Sequence, residues 1–256
     1  MKIVTLTTDF GLKDYYAAML KGTLLSASSA LNIVDISHSV PNYDIVQAAF
    51  LLKNAYPTFP KGSIHLVSVN NFYNNQSAFL VTERDGHFFI GADNGVFSLM
   101  FGNTEGRVIE LNYGGNGTAE VNKIFAKAAA DLAAGKSLEQ IGRPLKKMTQ
   151  RITFQPVVKP SQIIGSVIHV DNYENVITNI TKELFEQHGN GREFGLFFKR
   201  HDPIRRLSWH YFDVPIGESL CLFNAAGYLE IAINLGKASS LLGLHTDDTV
   251  AVEFTT

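Results

Sequence analysis

The sequence predicts two folded parts: an α/β N-terminal domain, with a mainly parallel sheet and helices on both faces, followed by an all-β, barrel-like C-terminal domain. Three observations lead there. Strands and amphipathic helices alternate through the first half, and short strands dominate after about residue 145. Between these regions "ITFQPVVKPSQIIG" sets two prolines among apolar residues, which reads as an interdomain crossing. The expected boundaries are 1–150 for the α/β domain, 151–162 for the linker and 163–256 for the barrel domain.

Taken in order, "KIVTLTT" is a β-branched strand that stops at "DFG", and from Lys13 the pattern turns helical, with Tyr16, Met19, Leu20, Thr23 and Leu24 on one face. "NIVDI" is a second strand, and Ile45, Ala48, Ala49 and Leu52 line a second helix. "GSIHLVSV", "AFLVTE" and "HFFIGA" follow as strands, the last two joined by a turn at "RDG". A helix over "NKIFAKAAADLAAG" ends at Gly135. Beyond the crossing, "SVIHVD", "ENVITNI", "FGLFF", "SLCLFN", "YLEIAI" and "TVAVEF" are short strands, with short helices near "TKELFEQ" and "GKASSLL".

The chain has 256 residues, 45% hydrophobic and 18% charged, with 22 Lys+Arg against 24 Asp+Glu and a formal charge of -2. That is an ordinary globular balance without the basic stripe of a nucleic-acid binder, so no nucleic-acid partner is expected. The single Cys221 rules out an internal disulfide and a cysteine-based zinc site. "MKIVTLTTDFG" meets Asp9 after too short an apolar run for a signal peptide or membrane span, so the expectation is a cytoplasmic protein with no membrane partner. The eight histidines form no metal pattern, and neither a phosphate-binding glycine loop nor a Gly-x-Ser-x-Gly elbow occurs. His38 in "DISHS" reads as a structural histidine, and no metal or standard cofactor is expected.

Three polar stretches remain. Asp9 stands where the first strand hands over to the first helix, a place where a carboxylate can accept from a ribose diol and where turn or capping aspartates are also common; Phe10, Asp14 and Tyr16 share that end. "DNYENVITNI" brings Asp171, Asn175 and Asn179 close in sequence, one acceptor and two amides suited to an amino acid's carboxylate or an adenine edge, although a hairpin turn is the favoured reading of the segment alone. Asn94-Gly95 in "ADNGVF" favours a tight turn. "SVNNFYNNQSAF" leaves the third strand through a run of asparagines and reads as a loop.

Together, "TLTTDFGLKDYYAAMLKG", "IVDISHSVPNYDIVQAAFLL", "FPKGSIHLVSV", "DNG", "IFAKAAADLAAG", "VDNYENVITNI" and "NAAGYLEIAINLGKASSLLG" resemble, in order along nearly the whole chain, the S-adenosyl-L-methionine hydroxide adenosyltransferases, relatives of the fluorinase and chlorinase. The resemblance implies a homotrimer whose ligand lies between the first domain of one subunit and the second domain of its neighbour. The implied reaction is attack of water at ribose C5′ of S-adenosylmethionine, giving adenosine and methionine, with the adenosyl compound as substrate or ligand and no further cofactor. Carried over by position, Asp9 resembles the residue that holds the ribose hydroxyls, and Tyr43 an aromatic near the sugar. Asp171 and Asn175 resemble the groups that hold the methionine ammonium and carboxylate. Asn224 and the segment from Ile233 to Leu235 correspond to the strand region near adenine.

The water-handling set departs from the family. Hydrolytic members carry a "VDPGVG" type motif after the third strand, an arginine farther on, and a histidine from a "FHGRD" type motif. Here those positions are Asn70, Gln76 or Ser77, and Glu120. An asparagine is no general base, a role typically worth ~10²- to 10⁴-fold. Glu120 offers a carboxylate from a different place, or is a helix-start residue paired with Lys123. Two functions follow: an S-adenosylmethionine hydrolase, or a binder of adenosyl ligands without turnover or with altered specificity. Halide chemistry fits poorly, because "NNFYNN" is bulky and polar where a halide needs small donors in a dry pocket.

Overall fold

In the computed structural model, residues 2–72, 78–102, 107–112 and 118–255 are described. The chain divides into two compact units, Met1–Thr153 and Phe154–Thr256.

The first unit is built on β1 (Lys2–Thr8), β2 (Leu31–Ser37), β3 (Ile64–Ser68), β4 (Phe79–Arg84), β5 (His87–Ala92), β6 (Val108–Leu111) and β7 (Gly142–Pro144), in the order β2-β1-β3-β5-β4-β6-β7. Pairings among β2, β1, β3 and β5 are parallel, whereas those of β4, β6 and β7 are antiparallel. The sheet is therefore mixed, which corrects the mainly parallel expectation. The cause is local: Asp85 and Gly86 take positive φ and fold β4 and β5 into a hairpin, and the outer strands continue that alternation.

Helices cover both faces. Leu20 and Leu24 of α1 (Tyr16–Ala27) share a core cluster with Ile124, Phe125 and Ala129 of α4 (Thr118–Ala133) and with Leu138 of α5 (Leu138–Ile141), against Val4, Leu6, Ile64 and Leu66. On the other face, Ala48 and Leu52 of α2 (Ile45–Ala55) and Val96 and Phe97 of α3 (Val96–Phe101) pack on Val67, Val69 and Phe89. Strand alternation divides β3 between the faces, since successive side chains point opposite ways. Burying each Leu or Phe contributes ~1.5–3 kcal/mol, so these two clusters hold the sheet in place. A polar row crosses it as well: Thr5 Oγ1 lies 2.7 Å from His65 Nδ1, and His65 Nε2 lies 3.1 Å from His87 Nδ1.

α1 begins at Tyr16 rather than Lys13, because residues 12–15 form a bend first. The short α3, β6, α5 and β7 have no counterpart in the sequence reading.

The second unit holds β8 (Val157–Lys159), β9 (Gln162–Val170), β10 (Val176–Thr181), β11 (Phe194–Phe198), β12 (Ser219–Phe223), β13 (Tyr228–Ile233) and β14 (Thr249–Phe254). Six strands follow the order β11-β14-β9-β10-β13-β12, with β8 on the side of β9. All named pairings are antiparallel. β9 bends the sheet by pairing with β14 through Gln162–Ser166 and with β10 through Val167–Val170. The result is a curled half-barrel, open among the described residues, with the expected short helices α6 (Lys182–Gly189) and α7 (Ala238–Leu242), so the barrel-like expectation holds in part. No helix among the described residues is long and apolar enough to cross a membrane.

Candidate functional site

The first unit places its chemistry where the chain changes sides of the sheet. β1 lies between β2 and β3; α1, leading to β2, packs on one face, and α2, leading to β3, packs on the other. The strand ends splay apart at such a switch point and leave a crevice at their carboxyl ends, where open α/β sheets bind ligands. Thr8 pairs with Ser68 there, so Asp9 and Asn70 stand on adjacent strand ends.

Asp9 Oδ2 accepts the backbone N–H of Tyr43 at 3.0 Å, and its carbonyl accepts from Asn42 Nδ2 at 3.3 Å. Asp9 thus does not cap α1. It ties the end of β1 to the loop before α2, whose own cap is Asp44, accepting from the N–H groups of Val46 and Gln47. Tyr43, whose backbone N–H meets Asp9, is left-handed at φ 66° and has an exposed side chain. Phe10 is half-buried, with its ring 6.1 Å from that of Tyr16, and Asp14 is exposed just ahead of α1. His38 is buried and structural: Nδ1 meets Thr8 Oγ1 at 2.8 Å, and Nε2 faces Asp35 Oδ1 at 3.1 Å.

Asn70 has φ 48°, a left-handed conformation that asparagine tolerates. Its backbone is braced from β5, because the buried Asn94 amide donates to the carbonyls of Val69 at 2.9 Å and Asn70 at 3.1 Å. Asn94 Oδ1 also accepts from Val96 N, and Gly95 at φ 100° turns the chain into α3. The Asn94-Gly95 pair is therefore a strand-to-helix turn that fixes the neighbouring strand end. Gln76 and Ser77 lie outside the described residues. Glu120 sits in the first turn of α4, with Lys123 Nζ 3.0 Å from its Oε1, the helix-start pairing anticipated for it.

The second unit contains a cavity of about 980 Å³, lined in part by Asp171, Asn175, Tyr211, Asn234, Leu235 and Lys237. Asp171 organises the β9–β10 hairpin: Oδ1 accepts from Tyr173 N and Asn175 N, each at 2.8 Å, and Oδ2 accepts from Asn175 Nδ2 at 3.1 Å. The segment is both the hairpin and a wall of the cavity. Asn179 stays out of it, correcting the expected grouping, because its side chain accepts from Ser166 N and donates to the Phe154 carbonyl. Glu174, at φ 63°, joins the hairpin to α7 through Lys237 at 2.7 Å, Ser240 Oγ and Ser240 N. Leu235 is held at φ 52° and lies 85% exposed on the cavity rim, between the paired Ile233 and Gly236.

Asn224 is not among the lining residues. Its Oδ1 accepts from Ala226 N and Tyr228 N in the β12–β13 turn, which leaves its amide N–H groups for the side chain of Glu230. Glu230 is only 3% exposed, and Tyr211 Oη donates to its Oε1 at 2.9 Å. Burial raises the Glu230 carboxyl, opposed by the Tyr211 and Asn224 hydrogen bonds, and nearby Asp171 raises it further. Tyr211 is pushed up to about 12, first by burial and then by its bond to Glu230. Among the described residues, no group of three or more His, Cys, Asp or Glu side chains converges as a metal site requires.

Family models carry these two halves together. The SAM hydroxide adenosyltransferase N-terminal domain matches residues 4–142, and the C-terminal domain of the same family matches residues 165–251. The chain belongs to the SAM hydroxide adenosyltransferases.

Its relatives include the (R)-S-adenosyl-L-methionine hydrolase of Methanocaldococcus jannaschii, 27% identical over 98% of this chain and 96% of the relative. The protein of the same name from Thermus thermophilus is 29% identical over 95% and 96%. The fluorinase of an Actinoplanes species is 23% identical over 98% and 97%. A solved structure of an uncharacterized conserved protein from Thermotoga maritima superposes with a TM-score of 0.89 at 29% identity, covering 98% of this chain and 99% of its own. In this SAM hydroxide adenosyltransferase, sequence reasoning missed Tyr211 and Glu230, while Asn234, inside the expected Ile233–Leu235 segment, does line the cavity. Glu230 lay hidden in the apolar run "YLEIAI", where one acid at alternate spacing reads as a solvent-facing residue.

Proposed function

We propose that the chain binds S-adenosyl-L-methionine and transfers its adenosyl group to water. Water oxygen attacks ribose C5′, the C5′–S bond breaks with its electron pair moving to sulfur, and adenosine, L-methionine and a proton are released. The observation that carries this reading is the family match together with a cavity walled by Asp171 and Asn175, the two positions expected to hold the methionine end. Asp9 supports it from the other unit: one carboxylate oxygen takes the Tyr43 N–H, and the carboxylate keeps acceptor capacity for a ribose diol. A sulfonium is already a good leaving group, so orientation and exclusion of water supply most of what the protein must contribute. The test is adenosine release from S-adenosylmethionine by the pure protein, compared with Asp9→Ala; no product above that variant sinks the proposal.

A second reading, a binder without turnover or with altered specificity, is favoured by Asn70 and Glu120. Asn70 is a neutral amide where hydrolytic members have an aspartate, and Glu120 is already paired with Lys123. Calorimetry decides it, since binding of S-adenosylmethionine without adenosine formation supports this reading alone. The homotrimer with inter-subunit sites belongs to the same proposal, and a monomeric mass by light scattering removes it.

A further inference from the structure

The cavity of the second unit is lined by two charges that already cancel and one that does not. Lys237 is the one basic residue among the described lining residues, and Glu174 holds it at 2.7 Å. Asp171 also lines the cavity; its hydrogen bonds come from backbone and amide N–H groups. Behind the cavity wall stands Glu230, a buried carboxylate that receives the Tyr211 hydroxyl and the Asn224 amide, both neutral donors. The nearby imidazole of His169 is pushed towards its neutral form by burial. Among the described residues no lysine or arginine forms an ion pair with Asp171 or Glu230.

Burial raises the Glu230 carboxyl; its two neutral hydrogen-bond donors oppose that rise without cancelling the charge, and a cation entering the cavity favours the ionised form further. In a partly dry cavity that field reaches several ångströms and acts on whatever charge enters. We infer that Glu230, set behind Tyr211, is a specificity-determining residue that makes the cavity select an adenosyl ligand with net positive charge over its neutral counterparts. The inference rests on the adenosyl-binding reading above and adds the charge class of the ligand. It also gives turnover a direction. S-adenosylmethionine carries a sulfonium, an ammonium and a carboxylate, one positive charge in excess, whereas adenosine is neutral and methionine a zwitterion. A cavity biased by Glu230 holds the substrate more tightly than either product.

The test is calorimetric titration of wild type and Glu230→Gln with S-adenosylmethionine, S-adenosylhomocysteine and adenosine. S-adenosylhomocysteine keeps the amino-acid end and lacks only the methyl group and its sulfonium charge. Wild type is expected to bind S-adenosylmethionine roughly three- to tenfold more tightly than S-adenosylhomocysteine, the effect of one charge at several ångströms in a partly hydrated site. Glu230→Gln keeps the shape and an acceptor for Tyr211, so this preference should shrink towards unity while adenosine affinity holds within about twofold. Equal wild-type affinity for the two sulfur compounds overturns the inference without needing the variant. So does an unchanged preference in Glu230→Gln, or a parallel loss of adenosine binding, which marks a purely structural role. If none of the three binds wild type, the adenosyl-binding reading itself falls and takes this inference with it.

Discussion

Lowering the pH from about 7.5 to about 5 is expected to remove about 2 kcal/mol of stability from the first unit through His65. His65 and His87 are fully buried and hydrogen-bonded to each other, with Thr5 on the far side of His65. Burial, reinforced by the neighbouring His87, lowers His65 from 6.5 to about 3, and burial lowers His87 as well. Both imidazoles are therefore neutral in the folded state, while in the unfolded chain each takes up a proton near its ordinary value. Below that value the unfolded state binds more protons, so the contribution is fully present above about 6.5 and is lost as the pH falls towards about 3. Each pH unit in that window costs about 1.4 kcal/mol through His65, giving about 2 kcal/mol at pH 5, and His87 acts in the same direction. Hydrogen exchange of amides in β1, β3 and β5 reads this unit separately from the second, which holds the lone Trp209. His65→Gln provides the baseline, because it lacks the titrating ring. Equal loss of protection in wild type and variant between the two pH values would refute the reasoning.

Three further outcomes follow from the site. Asn70→Asp restores a carboxylate at a left-handed position that aspartate also tolerates; adenosine release should rise by about tenfold or more, part of the ~10²- to 10⁴-fold available to a general base, with an unchanged melting temperature. Asn94→Ala removes three hydrogen bonds of a 2% exposed side chain and should destabilise the first unit by about 2–4 kcal/mol in denaturant titration, with slower adenosine release as the end of β3 loosens. Asp171→Ala takes the acceptor from Tyr173 N, Asn175 N and Asn175 Nδ2, and calorimetry should show S-adenosylmethionine affinity falling by about tenfold or more. Full affinity in that variant would remove the hairpin from the ligand site.

The strands that carry the site were legible because their composition is one-sided: β-branched and apolar runs such as "KIVTLTT", "IHLVS" and "TVAVEF" stop at polar turns. The strand-end position of Asp9 and the hairpin at Asp171 followed from those stops. Sheet direction was harder. The "RDG" turn that reverses β4 against β5 was visible, but the antiparallel addition of β6 and β7 beyond it rests on tertiary pairing, and both are too short to show a period. The second unit's aromatic and acidic wall was not legible, since Tyr211 and Glu230 are 19 positions apart and meet only when β13 and the turn at Tyr211–Asp213 fold together. Glu230 looks like a surface residue until Leu222, its partner across β12, and the Asn224 turn enclose it.

Asn94 gives the strand end of β3 a support that does not depend on what side chain stands at position 70. Its amide grips two main-chain carbonyls, and the left-handed backbone there is open to asparagine, aspartate and glycine alike. Side chain and scaffold are thereby uncoupled at this one point: residue 70 can be exchanged while the main chain at the end of β3 stays held by Asn94.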